Sequence, residues 1–269
     1  MKTVLQGLLV FVVTAMAVCV SGSSMGAGTG DSDAARTWQG AHVVIPVENP
    51  DQPGKYIAMN GAWHNIQFAI DKIKPNKTIP TVIYLHGCTG FHGDSAFRIN
   101  FLGENGYAVI APDSFARSYR IPNCNPISKT GGWFREAYRY RQEEIRYAIN
   151  SVRKLIWVDQ GNIFLYGHSE GGLAVARYSG DGFRGHIISG WTCKGKYWGI
   201  AAPSHVPVLA MVGSDDKWTG TSMVGDCGQY IKGRPNSRSL IIQGAGHSIN
   251  SYPEARKAIL KFLEINQTN

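Results

Sequence analysis

The pentapeptide Gly167-His168-Ser169-Glu170-Gly171 constrains this chain more than any other stretch of it. It directly follows the apolar run Asn162-Ile163-Phe164-Leu165-Tyr166 and opens onto Gly172-Leu173-Ala174-Val175-Ala176-Arg177, which has helical character. A serine pinched between glycines at the end of a buried strand sits on a tight turn, with its oxygen exposed and the next backbone N–H free. The pattern has little weight by itself in a chain with 32 glycines among 269 residues. Gly22-Ser23-Ser24-Met25-Gly26 fits it too, but no strand precedes that stretch and no helix follows it. Context therefore selects Ser169 as the candidate nucleophile.

Short β-branched or apolar runs alternate with helical stretches, the signature of an α/β fold: a mostly parallel eight-stranded sheet with helices on both faces. The predicted strands are His42 to Pro46, Tyr56 to His64, Thr81 to His86, Tyr107 to Pro112, Asn162 to Tyr166, His186 to Ser189, Val206 to Val212 and Ser239 to Gln243. The first two are polar and alternating, as at an antiparallel edge, whereas Val82-Ile83-Tyr84-Leu85 and Val208-Leu209-Ala210-Met211-Val212 are continuously apolar, as in central parallel strands. A long amphipathic helix is predicted over Phe134 to Val158, with Ala137, Tyr138, Ile145, Ala148, Ile149, Val152 and Ile156 on its apolar stripe. Arg141, Glu143, Glu144 and Arg153 fall off that stripe. A second helix, Tyr252 to Ile265, repeats the pattern, with Pro253 in its first turn.

At the N-terminus, Lys2 precedes an apolar run from Val4 to Val20 and a small-residue stretch, the layout of a secretory signal peptide. A membrane anchor is the competing reading, but a spanning helix wants ~20 apolar residues, and Gln6 and Thr14 interrupt this run. The expected organisation is a signal peptide over 1–24, a flexible Gly/Ser/Asp-rich leader over 25–37 and one domain over 38–269. Export to a secreted or periplasmic location follows, without stable membrane insertion of the mature chain. Lipid anchoring at Cys19 is disfavoured because Val18 occupies a position that wants a small residue.

The formal charge of +8 is scattered along the chain, and no nucleic-acid-binding signature accompanies it. After processing, Cys88, Cys124, Cys193 and Cys227 remain, an even number that in an exported chain suggests two disulfides. No Cys or His pair shows metal-ligand spacing, so no metal is expected.

Acyl transfer needs a nucleophile, a base, an acid that orients the base, and N–H donors for the oxyanion. Ser169, Asp216 and His247 follow one another on successive strand-end loops. His247 lies in Gly244-Ala245-Gly246-His247-Ser248, between the last strand and the last helix, where two glycines let the loop bend toward the nucleophile; an ordinary surface histidine is the alternative. Among the carboxylates, Asp216 lies deeper in its loop than Asp215, which is better placed to cap the turn, and Asp226 ranks third. The oxyanion donors expected are the N–H groups of Glu170 and of Cys88, with Thr89 behind Cys88. The Glu170 carboxylate beside Ser169 is a candidate to tune His247 or meet a cationic substrate, but negative charge is also favourable at a helix N-terminus for reasons unrelated to chemistry, and that reading is preferred.

Loops after neighbouring parallel strands emerge at one edge, only ~4.8 Å apart, comparable with the Cα separation of a disulfide. That geometry pairs Cys88 with Cys124 and Cys193 with Cys227; a free buried Cys88 is the alternative.

The blocks Tyr84-Leu85-His86-Gly87-Cys88-Thr89-Gly90, Ala111-Pro112-Asp113-Ser114-Phe115, Gly167-His168-Ser169-Glu170-Gly171-Gly172, Gly213-Ser214-Asp215-Asp216-Lys217-Trp218-Thr219 and Gly244-Ala245-Gly246-His247 together resemble the dienelactone hydrolase-like branch of the α/β-hydrolase superfamily. The resemblance runs from about Thr81 to Leu263 and implies the α/β-hydrolase fold. It departs at the nucleophile, which is cysteine in dienelactone hydrolases proper and Ser169 here, so the expectation moves toward a general carboxylic ester hydrolase without a cofactor, acting on a small-molecule ester. The branch's preference for anionic substrates points to Arg117 and Arg120, although solvated loop arginines are the competing reading. Trp133, Trp191 and Trp218 are candidates to line an aromatic pocket or to serve packing alone. Two rival functions share these residues: a serine peptidase or amidase on the same fold, and a non-catalytic binding protein on a hydrolase scaffold.

Overall fold

In a computed structural model, the described residues are 32–66, 70, 77–120, 124–132, 135–193, 199–218 and 227–268. The expected signal peptide, Cys19, most of the expected leader, Trp133 and Asp226 lie outside them.

The strands are β1 (His42–Glu48), β2 (Tyr56–Ala62), β3 (Ile79–Leu85), β4 (Ala108–Ala111), β5 (Cys124–Asn125), β6 (Thr130–Gly131), β7 (Val158–His168), β8 (His186–Ser189), β9 (Val208–Gly213) and β10 (Arg238–Ile242). Eight of them form one sheet in the order β10-β9-β8-β7-β3-β4-β1-β2, and β5 and β6 make a separate small hairpin. From β10 to β4 every pairing is parallel, whereas β1 runs antiparallel to both β4 and β2. The helices are α1 (Asp33–Gln39), α2 (Gly93–Glu104), α3 (Arg135–Val152), α4 (Glu170–Ala176), α5 (Gly228–Ile231) and α6 (Pro253–Asn266).

Strand alternation divides the core between the two faces of the sheet. On one face Ile83, Leu85, Ile163, Leu165, Ile188 and Val212 meet Ile145, Ala148 and Val152 of α3, Leu173 of α4 and Trp38 of α1. On the other, Val82, Tyr84, Phe164, Ile187 and Met211 meet Ile99 and Leu102 of α2 and Ile259, Phe262 and Leu263 of α6. Gly103 brings α2 close to β1, because a Cβ there would lie 2.3 Å from Val44 Cγ1.

Several boundaries differ from the sequence reading. The expected division at 37/38 falls inside α1, whose Ala35, Thr37 and Trp38 are buried and whose Ser32 caps the helix by accepting from Ala35 N. β1 does not alternate: it lies one strand in from the edge, and Val43, Val44 and Ile45 are all buried because both of its faces are covered. The helix predicted to run to Val158 stops at Val152, which leaves Ile156 89% exposed and lets β7 begin at Val158. β2 ends at Ala62, where Trp63–Asn65 turn into a short 3-10 helix.

The largest revision concerns the polar side of α3. Arg141 and Glu144, expected off the apolar stripe, are fully buried. The face of α3 that carries them packs beneath the loops at the C-terminal edge of the sheet, where each finds a partner of opposite charge.

Candidate active site

Ser169 joins β7 to α4 with φ 57° and ψ −117°, one of three non-glycine residues with positive φ among those described. A serine in that conformation is strained, and such strain persists only where the surroundings over-determine it. Here the surroundings are backbone. A Cβ on Gly167 would lie 2.2 Å from Gly171 O, and one on Gly171 would lie 2.2 Å from Leu85 O. The Ser169 N–H donates to Ser189 O at 2.8 Å, which ties the turn to β8.

His247 enters from the loop after β10. Its Nε2 accepts from Ser169 Oγ at 2.9 Å, and its Nδ1 donates to Asp216 Oδ2 at 2.8 Å. Asp216 is buried at 1% exposure, whereas Asp215 is exposed and accepts from Ser214 Oγ. Of the two neighbouring carboxylates, only Asp216 is hydrogen-bonded to His247. The β9 and β10 loops are stitched together by Gly244 N donating to Ser214 Oγ (2.8 Å) and Asp215 N to Ala245 O (2.9 Å). Behind the histidine, Asp94 Oδ1 accepts from Ser248 Oγ and Asn250 Nδ2, each at 2.7 Å, while its Oδ2 accepts from Arg98 Nη1 at 2.7 Å.

Aromatic rings close around the imidazole. Trp218 stacks on His247 with centroids 4.7 Å apart and donates through Nε1 to Gly131 O of the β5–β6 hairpin. His168 is the second ring against His247, with centroids 5.0 Å apart, and its Nδ1 is 3.1 Å from Ser189 Oγ. Burial, reinforced by the positive charge of Arg98, holds the His168 pKa well below the ordinary histidine value, so this ring is neutral. Trp191 is buried with its Cβ against Gly172, in the packing beneath α4.

Beneath the serine turn lies a cluster of buried charges. Glu170 Oε1 accepts from Arg120 Nη2 at 2.5 Å and from Arg141 Nε at 3.0 Å. Arg141 Nη1 donates to Glu144 Oε2 at 3.0 Å, and its Nη2 donates to the His86 carbonyl. Ser114 Oγ donates to Glu144 Oε1 at 2.7 Å. His86 Nε2 accepts from Ser114 N at 3.0 Å, so Nδ1 carries the proton and donates to Gly87 O at 2.7 Å. Burial, and then the nearby Arg141 charge, keep His86 neutral by holding its pKa well below the usual value.

This cluster corrects the reading of the two loop arginines. Neither is solvated: Arg120 pairs with Glu170 and lies over the Phe115 ring, and Arg117 donates to Glu143 at 2.5 Å and lies over Tyr140. Their side chains are each 1% exposed, which leaves no face of either guanidinium open to an incoming anion. Glu170, read as a helix-terminus charge, is a structural ion-pair partner as well. Arg141, Glu144, Ser114 and Asp94 were not singled out from the sequence, and no local pattern marks them.

Both disulfides form as paired from the strand ends. Cys88–Cys124 spans 5.9 Å between Cα atoms and ties the loop after β3 to the β5–β6 hairpin, and Cys193–Cys227 spans 5.0 Å. Gly87 lies against Ser169, since a Cβ there would sit 3.4 Å from Ser169 Cβ. Cys88, next to it, is buried. Among the described residues no group of three His, Cys, Asp or Glu side chains is arranged to hold a metal ion.

No family model and no curated protein matches the sequence. Solved structures do. A provisionally named dienelactone hydrolase from Klebsiella pneumoniae superposes with a TM-score of 0.52 at 14% identity, over 84% of this chain and 98% of that one. TT1662 from Thermus thermophilus gives a TM-score of 0.53 at 19% identity, over 83% and 98% respectively. With the strand order and the strand-turn-helix at Ser169, these likenesses establish the α/β-hydrolase fold.

Proposed function

We propose that this chain is an exported serine hydrolase that cleaves carboxylic esters through an acyl-enzyme. The reading is carried by one observation: the hydrogen-bonded line from Ser169 Oγ through the His247 ring to Asp216 Oδ2, with steps of 2.9 and 2.8 Å. Asp216 accepts from Nδ1 and so leaves the Nε2 lone pair facing the serine hydroxyl, the tautomer that a general base needs. Ser169 Oγ attacks the ester carbonyl while Nε2 takes its proton. The oxyanion forms toward the N–H groups of Glu170 and Cys88. Collapse expels the alcohol, which leaves with the proton returned by Nε2. Water, deprotonated by the same nitrogen, then attacks the acyl-serine and releases the acid.

A small-molecule ester is favoured over a peptide by the likeness to a structure named as a dienelactone hydrolase. The buried state of Arg117 and Arg120 removes the argument for an anionic substrate. Export to a secreted or periplasmic location is supported by the N-terminal apolar run and by two disulfides, which persist in oxidising compartments. Among the described residues no helix is long and apolar enough to cross a membrane.

Hydrolysis of short p-nitrophenyl esters, with fluorophosphonate labelling of Ser169, tests this reading. The Ser169→Ala protein should lose label and at least ~10⁴-fold in kcat while its thermal midpoint holds. Full activity in that variant refutes the esterase, faster turnover of aminoacyl amides than of esters favours the peptidase, and an unlabelled wild-type protein favours the binding protein.

A further inference from the structure

We infer that Arg141 is a positioning residue that holds the two oxyanion-donating loops at a fixed separation; the inference rests on the esterase reading above. Its guanidinium is fully buried and its three nitrogens reach three different places. Nε bonds the Glu170 carboxylate, on the residue whose N–H is the first donor. Nη2 bonds the carbonyl of His86, two residues before Cys88, whose N–H is the second. Nη1 returns to Glu144 on Arg141's own helix and fixes the plane of the fork. A guanidinium is rigid and planar, so the distance between its ends is set covalently. The same group therefore spans the gap between the serine turn and the loop after β3, which are otherwise distant in sequence.

Stability alone gives a poor account of this arrangement. Buried ion pairs seldom outperform apolar packing of equal volume, because desolvation cancels most of the attraction. Moreover, the cluster is not balanced. The side chains of Arg117, Arg120 and Arg141 are at most 1% exposed, against two buried carboxylates paired with them among the described residues, Glu144 at 0% and Glu170 at 3%, since Glu143 is 37% exposed. Arg120 Nε and Nη1 have no hydrogen-bond partner among the described residues. An excess of buried positive charge beneath the loops is favourable where negative charge develops on the substrate oxygen and unfavourable elsewhere. His86, neutral in this surrounding, adds no further charge.

The test compares Arg141→Lys, Arg141→Met and Glu170→Gln with the wild-type protein by ester turnover, Ser169 phosphonylation rate and thermal midpoint. Lysine keeps the charge but cannot bridge both loops. Expected is a loss of roughly 10²-fold in kcat for both Arg141 variants, the size of effect that misplacing a catalytic group by about 1 Å produces. KM should stay within about threefold, and phosphonylation should slow in parallel with kcat. Glu170→Gln, which loosens one end of the bridge, should fall between these and wild type. Wild-type kcat in Arg141→Lys, or losses confined to KM or to the thermal midpoint, overturn the inference. Should the Arg141 variants not fold, wild-type kcat in Glu170→Gln overturns it equally, as does a structure of the phosphonylated wild-type protein whose phosphoryl oxygen faces away from Cys88 N and Glu170 N. An active Ser169→Ala protein refutes the esterase reading instead, whatever residue 141 does.

Discussion

Ser169 and His247 meet at 2.9 Å but are brought there by different means. The serine turn is fixed by main chain: a positive φ, glycines at 167 and 171 with carbonyl oxygens where a Cβ would go, and a backbone bond to β8. The histidine loop is fixed mostly by side chains, through Asp216, the Ser248 and Asn250 bonds to Asp94, and the stacked Trp218. Main-chain constraint is all or nothing, because a clash with a carbonyl cannot be relieved by a rotamer change. Side-chain constraint is graded, because each bond can be removed while the others hold.

The sharpest way to break this contrast is Gly171→Ala. Its methyl would sit 2.2 Å from Leu85 O and 2.9 Å from His86 O, so the expected result is a loss of about 3 kcal/mol or more in stability together with undetectable turnover, read by denaturant unfolding and ester assay. On the histidine side, Asp216→Asn should leave the fold intact and cost about 10⁴-fold in kcat, because the amide favours the wrong imidazole tautomer. Asp94→Ala removes a support one shell further out. A fall of about tenfold in kcat, with less than a twofold change in KM, is expected there; an unchanged kcat would show that Asp216 and Trp218 suffice to hold the loop.

The smallest effect on turnover is expected at His186, on the strand beside the one that leads to Ser169. It is fully buried among Tyr178 and Phe183, and desolvation lowers its pKa to about 3. The unfolded chain takes up this proton near pH 6.5 while the folded one refuses it, so acidification below about 6.5 favours unfolding until the folded pKa is reached. His186→Leu should therefore recover about 2 kcal/mol of the stability that wild type loses between pH 6.5 and 5, with kcat at neutral pH unchanged. Thermal midpoints of the two proteins across that range decide it. Parallel pH curves would mean that His86 and His168, whose pKa values are lowered in the same direction, account for the acid sensitivity.

The same contrast explains which parts of the site were legible in the sequence. A turn held by main chain leaves a local trace, the glycines around Ser169 and the apolar run before it. Asp216 and His247 were legible for a topological reason: they follow strands that a parallel sheet must deliver to one edge, and the disulfide pairing followed from the same geometry. Arg141 and Glu144 were not, because helical periodicity reports which residues share a face and not what comes to cover that face. Their side of α3 looks solvated in sequence and is buried by the loops that follow β3 and β4. Arg117 and Arg120 were misread for a related reason, since a loop arginine shows nothing of the carboxylate it will meet. Asp94 lies 153 residues from His247 along the chain, with no motif to join them.

By itself the sequence determined the alternation of strands and helices, the turn that carries Ser169, and the chain order of Ser169, Asp216 and His247, because each of these depends on local sterics or on hydrophobic periodicity. Only the tertiary structure decided which charges are buried, what holds the histidine loop, and how the two loops flanking the serine are spaced. Electrostatic partners are chosen by proximity in space, and a charged side chain is the same residue in sequence whether water or a buried carboxylate surrounds it.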